Sequence, residues 1–235
     1  MAEQLSFDLP RRTARGRADF FVSPANAMAV ALIDAPDSWP GGRLVLTGPA
    51  GAGKTHLAHV WAARSGARIL AATELTEEGV PELARGPVAV EDVPVIAGHG
   101  PAQAALFHLL NLVQAEGHAL LLTGRKAPKL WGLAPADLQS RIEGAQHVEL
   151  APPDDALLAA VLAKLFADRQ IAPRPDVIPY LLRRMERSFA AAADIVERLD
   201  QLALAEGRSI SRALAARLLG DRGRDRSPHD GQDPG

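Results

Sequence analysis

The 235-residue chain contains no cysteine. That excludes a disulfide framework, a thiol nucleophile and every thiolate-based zinc or iron–sulfur site, and it fits a reducing, cytosolic setting. An excess of charge of either sign is missing too: 26 Lys and Arg face 28 Asp and Glu, a formal net charge of −2. No global field holds such a chain on nucleic acid or anionic lipid, so any contact of that kind is local. No apolar run approaches the ~20 residues of a membrane span, and the N-terminus MAEQLSFDLPRR lacks the basic-then-apolar order of a secretion signal. These absences predict a soluble protein with no membrane partner. With 47% hydrophobic and 23% charged residues, the chain has enough apolar side chains for one or two packed domains.

Residues 1–17 are short and polar, carry Arg11, Arg12, Arg15 and Arg17, and read as a flexible leader. From 18 to 151, short apolar runs at 43–47, 67–72, 87–91, 118–123 and 146–150 alternate with helical periods at 53–65, 101–116 and 135–141. Apolar runs without strict alternation are the signature of parallel strands covered on both faces, so the expectation is α/β: a three-layer parallel-sheet domain. After Pro152 and Pro153 the strands stop. Apolar faces at helical spacing follow: Leu157, Leu158, Val161, Leu162, Leu165 and Phe166; then Ile178, Leu181, Leu182 and Met185; then Ile195, Leu199, Leu202 and Leu204; then Leu214, Leu218 and Leu219. They predict a small all-α bundle over 152–220. Residues 221–235 hold no large apolar side chain and read as a disordered tail.

The segment GPAGAGKT, from Gly48 through Gly51, Gly53 and Lys54 to Thr55, fits G-x-x-x-x-G-K-[ST] directly after a strand and opening a helix. The chain's composition would produce only about 0.002 such matches by chance, which sets aside an unliganded glycine turn. The glycines curl the loop so that backbone N–H groups face phosphates; Lys54 brings charge to the β and γ oxygens, and Thr55 can ligate Mg²⁺. A P-loop also needs acid at the end of a nearby strand, and the run ending in Glu91 and Asp92 offers two. Glu91 is assigned the metal side, through water, and Asp92 the polarising of the attacking water; a solvated, capping pair at a strand end is the alternative. His56 and His59 lack a third ligand and are read as ordinary helix residues, and the three tryptophans as packing residues.

With the P-loop, the acidic strand, a strand ending in Thr123 and the later Leu138-Gln-Ser-Arg141, the order and spacing over about 18–220 resemble the P-loop AAA+ module of the bacterial replication initiator family DnaA, an α/β domain followed by a helical lid. The resemblance implies adenine contact by the segment 19–26, with Asn26, and a sensor region at 123–128. A short chain of this kind is similar to the Hda family, which regulates DnaA. Gln4, Leu5, Phe7 and Leu9 resemble the peptide that docks clients on the DNA polymerase sliding clamp; an extended leader can set the three apolar residues in a groove while Gln4 makes a directional bond.

Three positions depart from the pattern: Glu91 stands where Asp is usual, Arg125 where the sensor region has Asp, and Ala193 where the lid has arginine. They weaken the expectation of self-contained hydrolysis while leaving ADP or ATP binding intact. Arg141 is implied to be an arginine finger acting on a neighbouring subunit's nucleotide. The expected function is therefore regulation of replication initiation: a clamp-tethered, cytoplasmic AAA+ protein that promotes ATP hydrolysis on DnaA and meets DNA only through the clamp. A self-contained DnaA-like ATPase serving as helicase loader or adaptor stays open, as does formation of a homo-oligomer; a small-molecule kinase is disfavoured by the helical C-terminal region.

Overall fold

The structure, a computed structural model, describes residues 21–221. The leader, with Gln4, Leu5, Phe7 and Leu9, lies outside the described residues, as does the tail from 222. Five parallel strands form one sheet in the order β2-β3-β4-β1-β5: β1 Arg43–Thr47, β2 Arg68–Ala71, β3 Val88–Glu91, β4 Leu120–Gly124 and β5 Gln146–Glu149. Parallel neighbours need crossovers, and helices supply them: α1 Ala27–Asp34 precedes the sheet, α2 Lys54–Ser65 links β1 to β2, α3 Val80–Leu83 precedes β3, α4 Gly100–Ala115 links β3 to β4, and α5 Ala136–Glu143 links β4 to β5.

Alternation along each strand divides the core in two. Val45, Val88, Val90, Leu120 and Leu122 point to one face, where Leu106, Leu109, Leu110 and Val113 of α4 and Leu138 and Ile142 of α5 cover them. Leu44, Leu46, Ala89, Leu121 and Val148 point to the other, under Ile33 of α1 and Leu57 and Trp61 of α2. The three central strands β3, β4 and β1 are buried on both faces, which is why they read as continuous apolar runs. The tryptophans are packing residues: Trp39 and Trp61 stack at 5.3 Å between centroids, and Trp131, 2% exposed, lies against Gly124 and donates its indole N–H to the Lys126 carbonyl at 2.7 Å. His59 caps internally on the Thr55 carbonyl.

The C-terminal helices are α6 Asp155–Asp168, α7 Val177–Leu182, α8 Phe189–Glu206 and α9 Arg212–Asp221. Asp154 starts α6 by accepting the Leu157 N–H at 2.8 Å, and Ser188 starts α8 by accepting that of Ala191 at 3.1 Å. Leu158, Leu162, Phe166, Leu181, Ile195, Leu199 and Leu218 close a separate core. One assignment is corrected: Leu204, placed by sequence on the apolar face of α8, is 84% exposed. It lies five residues past Leu199, about 140° around the helix, so it leaves the stripe that Ile195, Leu199 and Leu202 define.

Candidate functional site

β1 delivers the P-loop to the C-terminal edge of the sheet, where open α/β sheets place their ligands. Leu150 fastens the exit of β1 by donating its N–H to the Thr47 carbonyl at 2.7 Å. Gly51 (φ 73°) and Gly53 (φ 101°) then turn the chain through the left-handed region into α2. Lys54, 8% exposed, folds back along the loop and donates to the carbonyls of Gly48 at 2.8 Å and Pro49 at 2.9 Å. An ammonium has three donors, so two hold the loop's curl and one is left for a ligand inside it. Burial lowers the Lys54 ammonium below its ordinary value; Arg125 pulls the same way, while Asp92 and Glu91 oppose both. These four groups thus share one electrostatic neighbourhood. Thr55 follows, exposed, on the first turn of α2.

Pairing of β3 with β4, and of β4 with β1, brings the acidic strand end alongside the loop. Glu91 is the last residue of β3, and its Oε1 is buried with no hydrogen-bond partner among the described residues. Asp92 leaves the strand with φ 53°, unusual for a non-glycine residue, and its N–H donates to the buried Thr123 hydroxyl at 3.0 Å. A residue pattern alone does not show this use of Thr123: its hydroxyl holds Asp92's backbone. Among the described residues there is no cluster of three or more His, Asp or Glu able to cage a metal. An exposed hydroxyl on Thr55 and one unpartnered carboxylate oxygen on Glu91 fit Mg²⁺, which keeps waters and takes one or two carboxylates plus phosphate oxygens.

The remaining expected residues separate. Asn26 is 4% exposed, and its amide closes the loop before α1, its oxygen accepting the Ser23 N–H at 2.8 Å and its nitrogen donating to the Phe21 carbonyl at 2.9 Å. Its side chain therefore shapes the entry to α1. Ala193 sits half-buried on α8, and the neighbouring Arg187 is paired with Asp155 at 2.8 Å. Arg141 has partners apart from the P-loop. Arg43, the first residue of β1, approaches the Arg141 carbonyl at 3.5 Å, whereas the P-loop leaves β1 after Thr47, about 13 Å along the strand. The Arg141 guanidinium donates to Asn111 at 2.8 Å and Asp137 at 3.0 Å, and lies 5.2 Å from the Phe107 ring centroid. Asn111 and Phe107 had no signal in the sequence beyond their place on α4.

No protein-family model matches the chain. Over 223 residues it is 25% identical to the chromosomal replication initiator protein DnaA of Thermomicrobium roseum, covering 85% of this chain and 48% of that protein. Domain III of the Thermotoga maritima replication initiation protein DnaA superposes with a TM-score of 0.78 at 18% identity, over 91% of this chain and 98% of that one. The fold is that of the DnaA AAA+ domain. AMPPCP-bound DnaA from Aquifex aeolicus matches with a TM-score of 0.65 at 21% identity, over 88% of this chain and 68% of that one. The chain spans less than half the length of the DnaA relatives it matches. No helix among the described residues is long and apolar enough to cross a membrane.

Proposed function

We propose that this DnaA-like module holds ADP or ATP in its own P-loop and lends Arg141 to the nucleotide of a second AAA+ subunit, ATP-bound DnaA. Gln4, Leu5, Phe7 and Leu9 tether it to the sliding clamp on DNA, in the cytoplasm. One observation carries the reading: the Arg141 carbonyl accepts from the guanidinium of Arg43, the first residue of β1, while the P-loop leaves the other end of that strand. A side chain so placed serves another subunit's phosphates rather than its own. Among the described residues, Asn111 and Asp137 engage two of its five N–H donors, and the others can face phosphoryl oxygens.

In its own site, Lys54 neutralises the phosphates, the loop's backbone N–H groups orient them, Thr55 and Glu91 are the ligands available to Mg²⁺, and Asp92 faces the attacking water. Mg²⁺, when bound, would neutralise charge on the β and γ oxygens. In the partner's site, water oxygen bonds to the γ-phosphorus, the bond from that phosphorus to the β–γ bridging oxygen breaks with its electron pair left on ADP, inorganic phosphate and the water's proton depart, and Arg141 balances the charge spread over the phosphoryl oxygens. The product is ADP-bound initiator. That a DnaA of similar fold holds AMPPCP supports nucleotide binding here.

Arg141→Ala should keep ADP and clamp binding and abolish most of the stimulated hydrolysis by DnaA on DNA-loaded clamp, a fall on the order of 10³-fold or more. Full stimulation by the variant refutes the reading. Glu91 and Asp92, both present beside the loop, favour a second reading, a self-contained DnaA-like ATPase acting as helicase loader or adaptor. Steady turnover of ATP by the isolated chain, with no need of clamp, would establish it.

A further inference from the structure

The arginines of the C-terminal bundle are not all paired. Arg169, Arg187, Arg198 and Arg217 each face a carboxylate, on Asp200, Asp155, Asp194 and Glu206. Arg174, Arg184 and Arg212 are exposed and have no ion pair or side-chain hydrogen bond among the described residues. What Arg184 and Arg212 share instead is Tyr180. The guanidinium carbon of Arg184 lies 4.2 Å from the centre of its ring, and that of Arg212 lies 5.3 Å from it. Tyr180 belongs to α7, Arg184 follows that helix and Arg212 opens α9, so the packing of α7 on α9 brings both charges to one ring. The Arg174 N–H donates to the Ile210 carbonyl at 3.2 Å, which ties the approach to α7 to the turn before Arg212.

Stability alone does not ask for this arrangement. Two like charges over one ring repel, and a cation on the first residue of a helix opposes the helix dipole, which favours an acid there. Stacking on the ring offsets part of that repulsion and orients each guanidinium without using its five N–H donors. Such a planar fork matches phosphate oxygens two at a time. Two details select a nucleic-acid duplex among phosphate-bearing partners. Tyr180 is 7% exposed and its ring is already covered, so it offers no platform on which an unpaired base could stack. Leu204 on α8 is the one large apolar side chain exposed in the bundle among the described residues, so the apolar half of a membrane-surface contact is missing around these arginines.

We propose that Arg184 and Arg212, with Arg174 beside them, form a sequence-independent site for the phosphates of duplex DNA, held in place by Tyr180. The site needs neither the clamp nor a bound nucleotide, and its failure would leave the readings of residues 48–55 and Arg141 standing. With a net charge of −2 the chain has no overall attraction for DNA, so the contact is local and weak, about 10⁻⁴–10⁻⁶ M at physiological salt.

Fluorescence anisotropy of the full chain with a short labelled duplex of mixed sequence, titrated at several salt concentrations, tests this. Each phosphate contact contributes about 0.9 to the slope of log affinity against log salt. Arg184→Gln with Arg212→Gln should therefore flatten that slope by about 1.8 and weaken binding about tenfold or more, alike on every sequence, with the melting temperature near that of the wild type. Arg184→Gln alone should flatten it by about 0.9, which answers the question if the double variant does not fold. Arg212→Lys keeps the charge and should keep the slope, which separates charge from packing on Tyr180. Arginines at 11–17 and 222–226 carry charge of the same sign, and so an unchanged slope in the double variant overturns the site however tightly the chain binds. Failure of the wild type to bind the duplex overturns it as well, as does tighter binding of single-stranded DNA of the same length. Stronger binding of the wild type to vesicles of equal parts phosphatidylcholine and phosphatidylserine, lost in the double variant, overturns it in favour of a membrane surface.

Discussion

Removing the Lys54 ammonium tests the nucleotide site at its most buried charge. Two of its three donors bind the Gly48 and Pro49 carbonyls, at 2.8 and 2.9 Å, which leaves a single donor for phosphate. A hydrogen bond to a charged group contributes about 1.5–3 kcal/mol, so Lys54→Ala should weaken ADP binding by about 10- to 150-fold. The fold should lose little, because burial already disfavours the charged form of this side chain and water can reach both carbonyls once the side chain is gone. Lys54→Met keeps the apolar stem and should lose the same affinity, which separates charge from packing. Calorimetry with ADP measures the loss, and a melting curve measures the fold. The pH dependence has a definite sign: binding needs the charged lysine, burial and Arg125 lower its pKa, and so affinity should decline on the alkaline side earlier than an ordinary lysine would dictate. Unchanged ADP affinity in both variants refutes the assignment of residues 48–55.

Three further outcomes follow from other parts of the fold. His147 on β5 shares a 2.7 Å hydrogen bond with the Thr47 hydroxyl, and burial lowers its pKa against an opposing pull from Glu149; its stability contribution is complete above the ordinary histidine value and lost as pH falls through the depressed one, so His147→Gln should flatten that part of the acid-side decline in melting temperature. Phe166, 1% exposed in the lid core, should cost about 3–5 kcal/mol as Phe166→Ala in urea unfolding, while Leu204→Ala on the exposed side of α8 should stay within about 0.5 kcal/mol.

The sheet was legible because both of its faces are covered. Runs such as Leu44–Val45–Leu46 and Leu120–Leu121–Leu122 bury every side chain, and only a central parallel strand accommodates that in so short a stretch. The P-loop was legible because its chemistry needs contiguous residues. What stayed hidden is non-local. Thr47 meets His147 across 100 positions of sequence, through the β1–β5 register, and Gly51 meets Ser188 only once the helical bundle has docked. Arg141 could be picked out by its place after the sensor region, but its partners on α4 could not, because Phe107 and Asn111 sit among leucines whose spacing speaks only for the core. Leu204 shows the opposite error, a leucine in a helix assigned to the buried stripe although its angle excludes it.

The different surroundings of the two acidic residues follow from the backbone and not from their chemistry. Glu91 ends a strand whose preceding residues are all fully buried, and one of its carboxylate oxygens is buried with no hydrogen-bond partner among the described residues. Asp92 cannot continue the strand, because the left-handed turn at φ 53° swings it out to solvent. Such a conformation costs on the order of 1 kcal/mol for a non-glycine residue and persists only when its surroundings enforce it. Thr123 does so by accepting the Asp92 N–H from the adjacent strand end. The turn and the threonine thus set one partly buried carboxylate and one exposed carboxylate side by side, both within the electrostatic reach of Lys54.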